Sequence, residues 1–123
     1  MGPVGALLIT GTAGLVEGVS FRVDPGSSAV LGRSRACGLS LHVLGETAEA
    51  RAATPEGKAF RSISRRHVTI RLEEGGRVQV VDRSRHGTYL DGERIDTAIL
   101  TDLAERPHEL RLGSAETFRM EMA

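Results

Sequence analysis

The chain has 123 residues, 40% of them hydrophobic, and its 16 basic side chains balance 16 acidic ones. That length suits one domain, 1–123, with a single core, and the zero net charge gives no global pull toward nucleic acid or an anionic membrane. The lone Cys37 excludes an internal disulfide and suits a reducing, cytoplasmic setting, while the apolar run over 4–9 is too short to span a membrane and lacks a signal peptide's basic flank.

In chain order, period two dominates. Val19, Phe21 and Val23 alternate with Ser20 and Arg22, and Asp24-Pro25-Gly26 supplies a turn. Ala29-Val30-Leu31 and Leu39-Ser40-Leu41-His42-Val43 predict short strands. Residues 45–62 then lose the β period and are rich in Ala, Glu and Thr, which predicts a long loop or a marginal helix. Thr54-Pro55 within it has the form of a phosphorylation site. Val68, Ile70 and Leu72 restore the alternation, and Glu74-Gly75-Gly76 turns into Val78-Gln79-Val80-Val81. Tyr89 to Ile95 carries the Asp91-Gly92 pair that favours a type I′ hairpin. Residues 98–105 predict a helical turn capped by Thr101. Leu110 and Leu112, then Phe118, Met120 and Met122, close the chain as strands. Many short strands separated by turn signals specify an all-β fold, an antiparallel β-sandwich.

Three polar junctions border these strands: Leu31-Gly32-Arg33-Ser34, Ile63-Ser64-Arg65-Arg66-His67, and Asp82-Arg83-Ser84-Arg85-His86-Gly87-Thr88. From Arg61 to Thr88 seven arginines face three acids, a net of +4 in an otherwise neutral chain. A local arginine cluster on a neutral protein suits a compact anion better than a long polyanion. A phosphothreonine carries about −1.5 to −2 charges and three acceptor oxygens, so its site needs charge-assisted donors. Arg33, after the flexible Gly32, offers a bidentate guanidinium; Ser64 offers a short hydroxyl bond and Arg65 adds charge. Gly87 permits a tight backbone turn.

The spacings resemble the forkhead-associated (FHA) family, phosphothreonine-reading β-sandwiches of about eleven strands. The family's Gly-Arg motif matches Gly32-Arg33, its Ser-x-x-His motif matches Ser64 to His67, and its Asn-Gly motif aligns with His86-Gly87 inside Arg85-His86-Gly87-Thr88. The hairpin Tyr89-Leu90-Asp91-Gly92 also looks like the family's. The resemblance implies that Arg33 and Ser64 bind phosphate, with Arg65 and Arg85 supporting them. His86, standing where the family usually has Asn, would touch the peptide backbone, though its ring lacks the amide's paired donor and acceptor. Arg85 stands where a Ser or Thr often contacts the phosphate. Gly32, His67, Gly87 and Thr88 would support the site, with His67 bracing the loops from beneath. The implied partner is a protein phosphorylated on threonine by a Ser/Thr kinase, with no cofactor, metal, nucleic acid or membrane. Family members often stand fused to kinases or transcription regulators.

Other readings of the same residues carry less. Ser64, His67 and Asp82 suggest a hydrolase, but no nucleophile elbow or glycine-rich oxyanion loop accompanies them, so no enzymatic activity is expected. Gly11-Thr12-Ala13-Gly14 after Leu7-Leu8-Ile9 is not followed by a helical pattern, which excludes a dinucleotide fingerprint. Arg66 and Arg83 read as solvated charges or sheet-edge gatekeepers, His42 and His108 as surface or strand residues, and Cys37 as a small buried hydrophobe. The alternative function is a degenerate scaffold of the same fold that binds a partner without phosphate.

Overall fold

The computed structural model describes residues 5–123, so the first residues of the expected domain, and Val4 of the apolar run, lie outside the described residues. Eleven strands follow in order: β1 (Leu7–Ala13), β2 (Ser20–Val23), β3 (Ser28–Gly32), β4 (Leu39–Ser40), β5 (Val68–Leu72), β6 (Val78–Asp82), β7 (Thr88–Leu90), β8 (Glu93–Ile95), β9 (Thr97–Leu100), β10 (His108–Leu112) and β11 (Glu116–Met122). Three short helices, α1 (His42–Gly45), α2 (Ala48–Arg51) and α3 (Pro55–Arg61), lie between β4 and β5. One sheet has the order β2-β1-β11-β10-β7-β8 and the other β4-β3-β5-β6-β9.

The alternating residues meet in one core between the sheets. Leu7 and Ile9 of β1 share it with Leu110, Leu112, Phe118 and Met120 from the same sheet and with Leu31, Val68, Ile70, Leu72, Val78 and Val80 from the other. Period two is what makes this possible, because alternate side chains leave a strand on opposite faces. The pairing is antiparallel throughout except at β3 and β4, which run parallel with Leu31 opposite Leu39. That exception brings the chain after β3 round through a short loop, 33–38, whose side chains edge the site described below.

Several expected elements take a different form. The strand expected over 39–43 stops at Ser40; α1 begins at His42 and leaves Val43 81% exposed. Residues 98–105 contain no helix, since Thr97–Leu100 forms β9 against β6 and only the turn over 102–105 follows. Ala98 and Leu100 pair with Val80 and Val78, and that long-range ladder outweighs the local capping signal. The 45–62 segment takes the helical of its two expected forms, as α2 and α3. Thr47 accepts from the Ala50 amide and Thr54 from the Gly57 amide, so both threonines are N-caps, and Pro55 occupies the first turn of α3. Gly57 disguises this helix in the sequence, yet its position demands glycine: a Cβ there would sit 2.3 Å from the Ala52 carbonyl oxygen. Phe60 anchors α3 in the core.

The Asp91-Gly92 turn behaves as the sequence indicates. Asp91 has φ 50° and Gly92 φ 88°, both positive as a type I′ turn requires, and β7 and β8 pair across it from Leu90 and Glu93 to Thr88 and Ile95.

Candidate functional site

The three arginine-rich junctions converge at one end of the sandwich. Gly32 lies at the end of β3 and packs against the loop between α3 and β5. A Cβ on Gly32 would meet the Arg65 carbonyl oxygen at 2.2 Å, so this glycine supplies clearance rather than the flexibility expected of it. The close approach is stitched by backbone bonds: Arg33 N–H donates to the Ser64 carbonyl at 3.2 Å and Ser34 N–H to the Arg65 carbonyl at 2.9 Å. The buried Cys37 thiol also donates to the Arg65 carbonyl, at 3.1 Å.

Arg33 is half-buried and its Nε donates to the Ile63 carbonyl. The guanidinium is thereby fixed while its two terminal amino groups have no protein acceptor among the described residues. Burial, and then the charges of Arg65 and Arg61, push its pKa below the ordinary arginine value. Ser64 Oγ accepts from the Arg85 amide at 2.9 Å. Its own hydroxyl proton has no protein acceptor among the described residues, so it remains a donor facing the cleft. That cleft, about 230 Å³, is lined by Arg33, Arg61, Ser64, Arg65, Arg85 and His86, together with Ser62 and Ile63.

His67 joins two of the loops from below. It is fully buried; its Nδ1 accepts from the Ser64 amide at 3.0 Å and its Nε2 lies 2.8 Å from the Gly87 carbonyl. These partners specify the tautomer with the proton on Nε2, since Nδ1 must accept and the carbonyl needs a donor. Burial pushes the His67 pKa down, and the Gly87 bond and nearby Asp82 only partly oppose this, so the ring is held neutral.

The third loop is organised by two residues to which sequence reasoning assigned no role in the site. Asp82 Oδ1 accepts from the Ser84 amide at 3.1 Å, the Ser84 hydroxyl at 2.6 Å and the buried Thr88 hydroxyl at 2.6 Å. Ser84 Oγ in turn accepts from the Gly87 amide at 2.8 Å. Burial pushes the Asp82 carboxyl up, but these bonds and His67 outweigh it and hold it below the usual carboxylate range. The signal was present in the sequence, for an Asp two residues before a Ser favours a side-chain-closed turn. Gly87 takes φ 99°, a conformation that side chains rarely adopt.

The structure therefore brings together Arg33, Ser64, Arg65, Arg85 and His86 around one cleft, with Gly32, His67, Gly87 and Thr88 behind it. Arg61, which the sequence reading only counted among the junction charges, also lines the cleft, and its Nη1 donates to the Ala50 and Ala52 carbonyls at 2.8 Å each. It thus ties α2 to the site. Arg66 and Arg83 are exposed and line neither this cleft nor its neighbour. His108 is a strand residue but no surface one: it is buried, with Nδ1 2.5 Å from Asp91 and Nε2 2.6 Å from Asp102.

A family model, the FHA domain, matches residues 29–114. The chain belongs to the FHA family. The glycogen accumulation regulator GarA of Mycolicibacterium smegmatis is 35% identical over 96 residues, which are 75% of this chain and 60% of GarA. This FHA chain thus spans about 60% of that relative's length. Among solved structures, the FHA domain of the CT664 protein from Chlamydia trachomatis superposes with TM-score 0.67 at 22% identity, covering 94% of this chain and 96% of that one. A structure described for phosphothreonine-dependent FHA domain interactions superposes with TM-score 0.65 at 21% identity, covering 96% and 97%. The matched span of the FHA model includes all three junctions.

Proposed function

We propose that this FHA domain is a non-catalytic reader of phosphothreonine in a protein partner that a Ser/Thr kinase has phosphorylated. The observation that carries this reading is Arg33, held by its Nε with both terminal amino groups free, beside the free hydroxyl proton of Ser64. A phosphoryl group with three acceptor oxygens matches that donor set, and charge-assisted bonds of this kind are the strong ones. Arg65 and Arg85 add charge at the rim, and His86 meets the peptide backbone. The relative with phosphothreonine-dependent interactions supports the same ligand class. Against catalysis stands His67: both its ring nitrogens are committed to loop backbone, so neither can take the Ser64 hydroxyl proton. Reader and phosphorylated partner would meet in the cytoplasm, where a free thiol such as Cys37 stays reduced.

Fluorescence anisotropy with a degenerate phosphothreonine peptide pool and its unphosphorylated counterpart tests this. Binding should require phosphate, and Arg33→Ala should weaken it by roughly ten- to a hundredfold, as loss of a charged bond worth about 1.5–3 kcal/mol dictates. Equal binding of the two pools would refute the phosphate reading in favour of a phosphate-independent scaffold.

A further inference from the structure

Arg33 and Arg65 each line two clefts. Beside the 230 Å³ cleft lies a larger one, about 620 Å³, lined by Arg33, Ser34, Arg35, Ala36, His42 and Arg65. No carboxylate lines either. Although the chain carries as many acids as bases, none of Arg33, Arg35, Arg61, Arg65 and Arg85 pairs with a carboxylate among the described residues; the arginine–carboxylate pairs involve Arg22, Arg77, Arg106 and Arg119. Glu46 lies 3.4 Å from His42 Nε2, to which Arg35 Nη2 also lies at 3.2 Å.

Charge arithmetic separates one ligand group from two. Five guanidinium charges surround the paired clefts, while one phosphothreonine supplies about −1.5 to −2. About three positive charges are left unmatched, and of the five arginines Arg35 alone lines the larger cleft without lining the smaller. The larger cleft is also built rather than splayed: Ser40 Oγ donates to the Ser34 carbonyl at 2.8 Å and accepts from the His42 amide at 3.1 Å. Ser34 Oγ accepts from the Ala36 amide at 3.1 Å, and Leu41 N–H donates to the Gly32 carbonyl at 2.8 Å.

We propose that the Arg35–His42 cleft is a second anion subsite, which takes a second phosphoryl group on the same peptide as the phosphothreonine. This rests on the phosphothreonine reading above. Arg35 and His42 are its distinguishing residues; Arg33 and Arg65 form the shared wall. The domain then favours partners phosphorylated twice within a short stretch over partners phosphorylated once.

The test uses peptides with one fixed phosphothreonine and a second phosphothreonine placed within about four residues on either side, a reach of roughly 13 Å for extended chain. At one favoured spacing the second phosphate should tighten wild-type binding about tenfold, equivalent to ~1.4 kcal/mol. Arg35→Ala should abolish that gain while leaving the affinity for the singly phosphorylated peptide within about twofold, less than ~0.5 kcal/mol. An equal gain in Arg35→Ala, or no gain at any spacing while single-phosphate binding persists, overturns the subsite alone. An equal gain from glutamate at the favoured position assigns the cleft to carboxylates and overturns the phosphoryl assignment. Failure of wild type to bind the singly phosphorylated peptide removes the reading beneath.

Discussion

Replacing His67 with phenylalanine isolates the brace between the two ligand loops, because the ring's volume is kept while both its hydrogen bonds vanish. The Ser64 amide loses its acceptor at 3.0 Å and the Gly87 carbonyl its donor at 2.8 Å. A buried backbone group left without a partner costs about 1–3 kcal/mol. Gly87 is buried and falls toward the upper end; Ser64 is half-buried and falls toward the lower. The expected loss is therefore about 2–4 kcal/mol, a large part of the roughly 5–15 kcal/mol that holds such a domain together. Urea unfolding should show a lower midpoint at unchanged slope, and phosphopeptide affinity should fall as well, since Ser64 and Arg85 lose their common anchor. The pH dependence supplies an independent readout. The folded-state pKa of His67 is depressed, so below about 6.5 the unfolded chain takes up a proton that the folded chain refuses. Wild-type stability accordingly falls as pH drops through that range, and the stability difference between wild type and His67→Phe should shrink there. A loss under about 0.5 kcal/mol, the ordinary range for surface substitutions, would refute the bracing role.

Gly32→Ala drives a Cβ to 2.2 Å from the Arg65 carbonyl oxygen, where no flexible side chain can yield, and should cost about 1–3 kcal/mol while weakening phosphopeptide binding; an unchanged urea midpoint and affinity would contradict it. His108 carries the opposite linkage to His67. Burial lowers its pKa, but the bonds and charges of Asp91 and Asp102 win and raise it, so its stabilisation is fully present below about 6.5 and lost as pH rises through the folded value. His108→Asn should therefore be most destabilising below that pH and progressively less so above it, and a pH-independent difference in urea midpoints would disprove the ion cluster. Glu116 is buried and its carboxyl is pushed up, more than the Val16 and Leu15 amide bonds pull it down. Glu116→Gln, which keeps the acceptor for the Val16 amide, should stabilise at pH 8 relative to pH 4; the same effect at both values would rule out a buried charge.

Element type was legible wherever the side chains report it locally. Alternation marked β5, β6, β10 and β11, and Asp91-Gly92 marked the turn between β7 and β8, because a strand's period and a turn's positive φ are set by the residues that adopt them. The ligand loops were legible for the same reason: Gly32, Arg33, Ser64, His67 and Gly87 occur at motif spacings within short segments. What could not be read there depends on contacts outside the segment itself. The 98–105 segment has a capping threonine and still forms a strand, because Val78 and Val80 were waiting for a partner. Gly57 argues against a helix until Ala52 packs against it. His108 shows nothing in its own neighbourhood of the Asp91 and Asp102 that bury its charge.

Local chemistry thus determined where most of the strands form and which residue types can hold an anion, since both follow from near neighbours in sequence. Tertiary structure alone decided that Gly32 is needed for clearance, that His67 bonds Gly87, twenty residues beyond it, and so ties it to Ser64, and that Arg33 and Arg65 each line two clefts. Those facts need the backbones of separate loops at van der Waals distance, and sheet pairing between distant strands is what sets that distance.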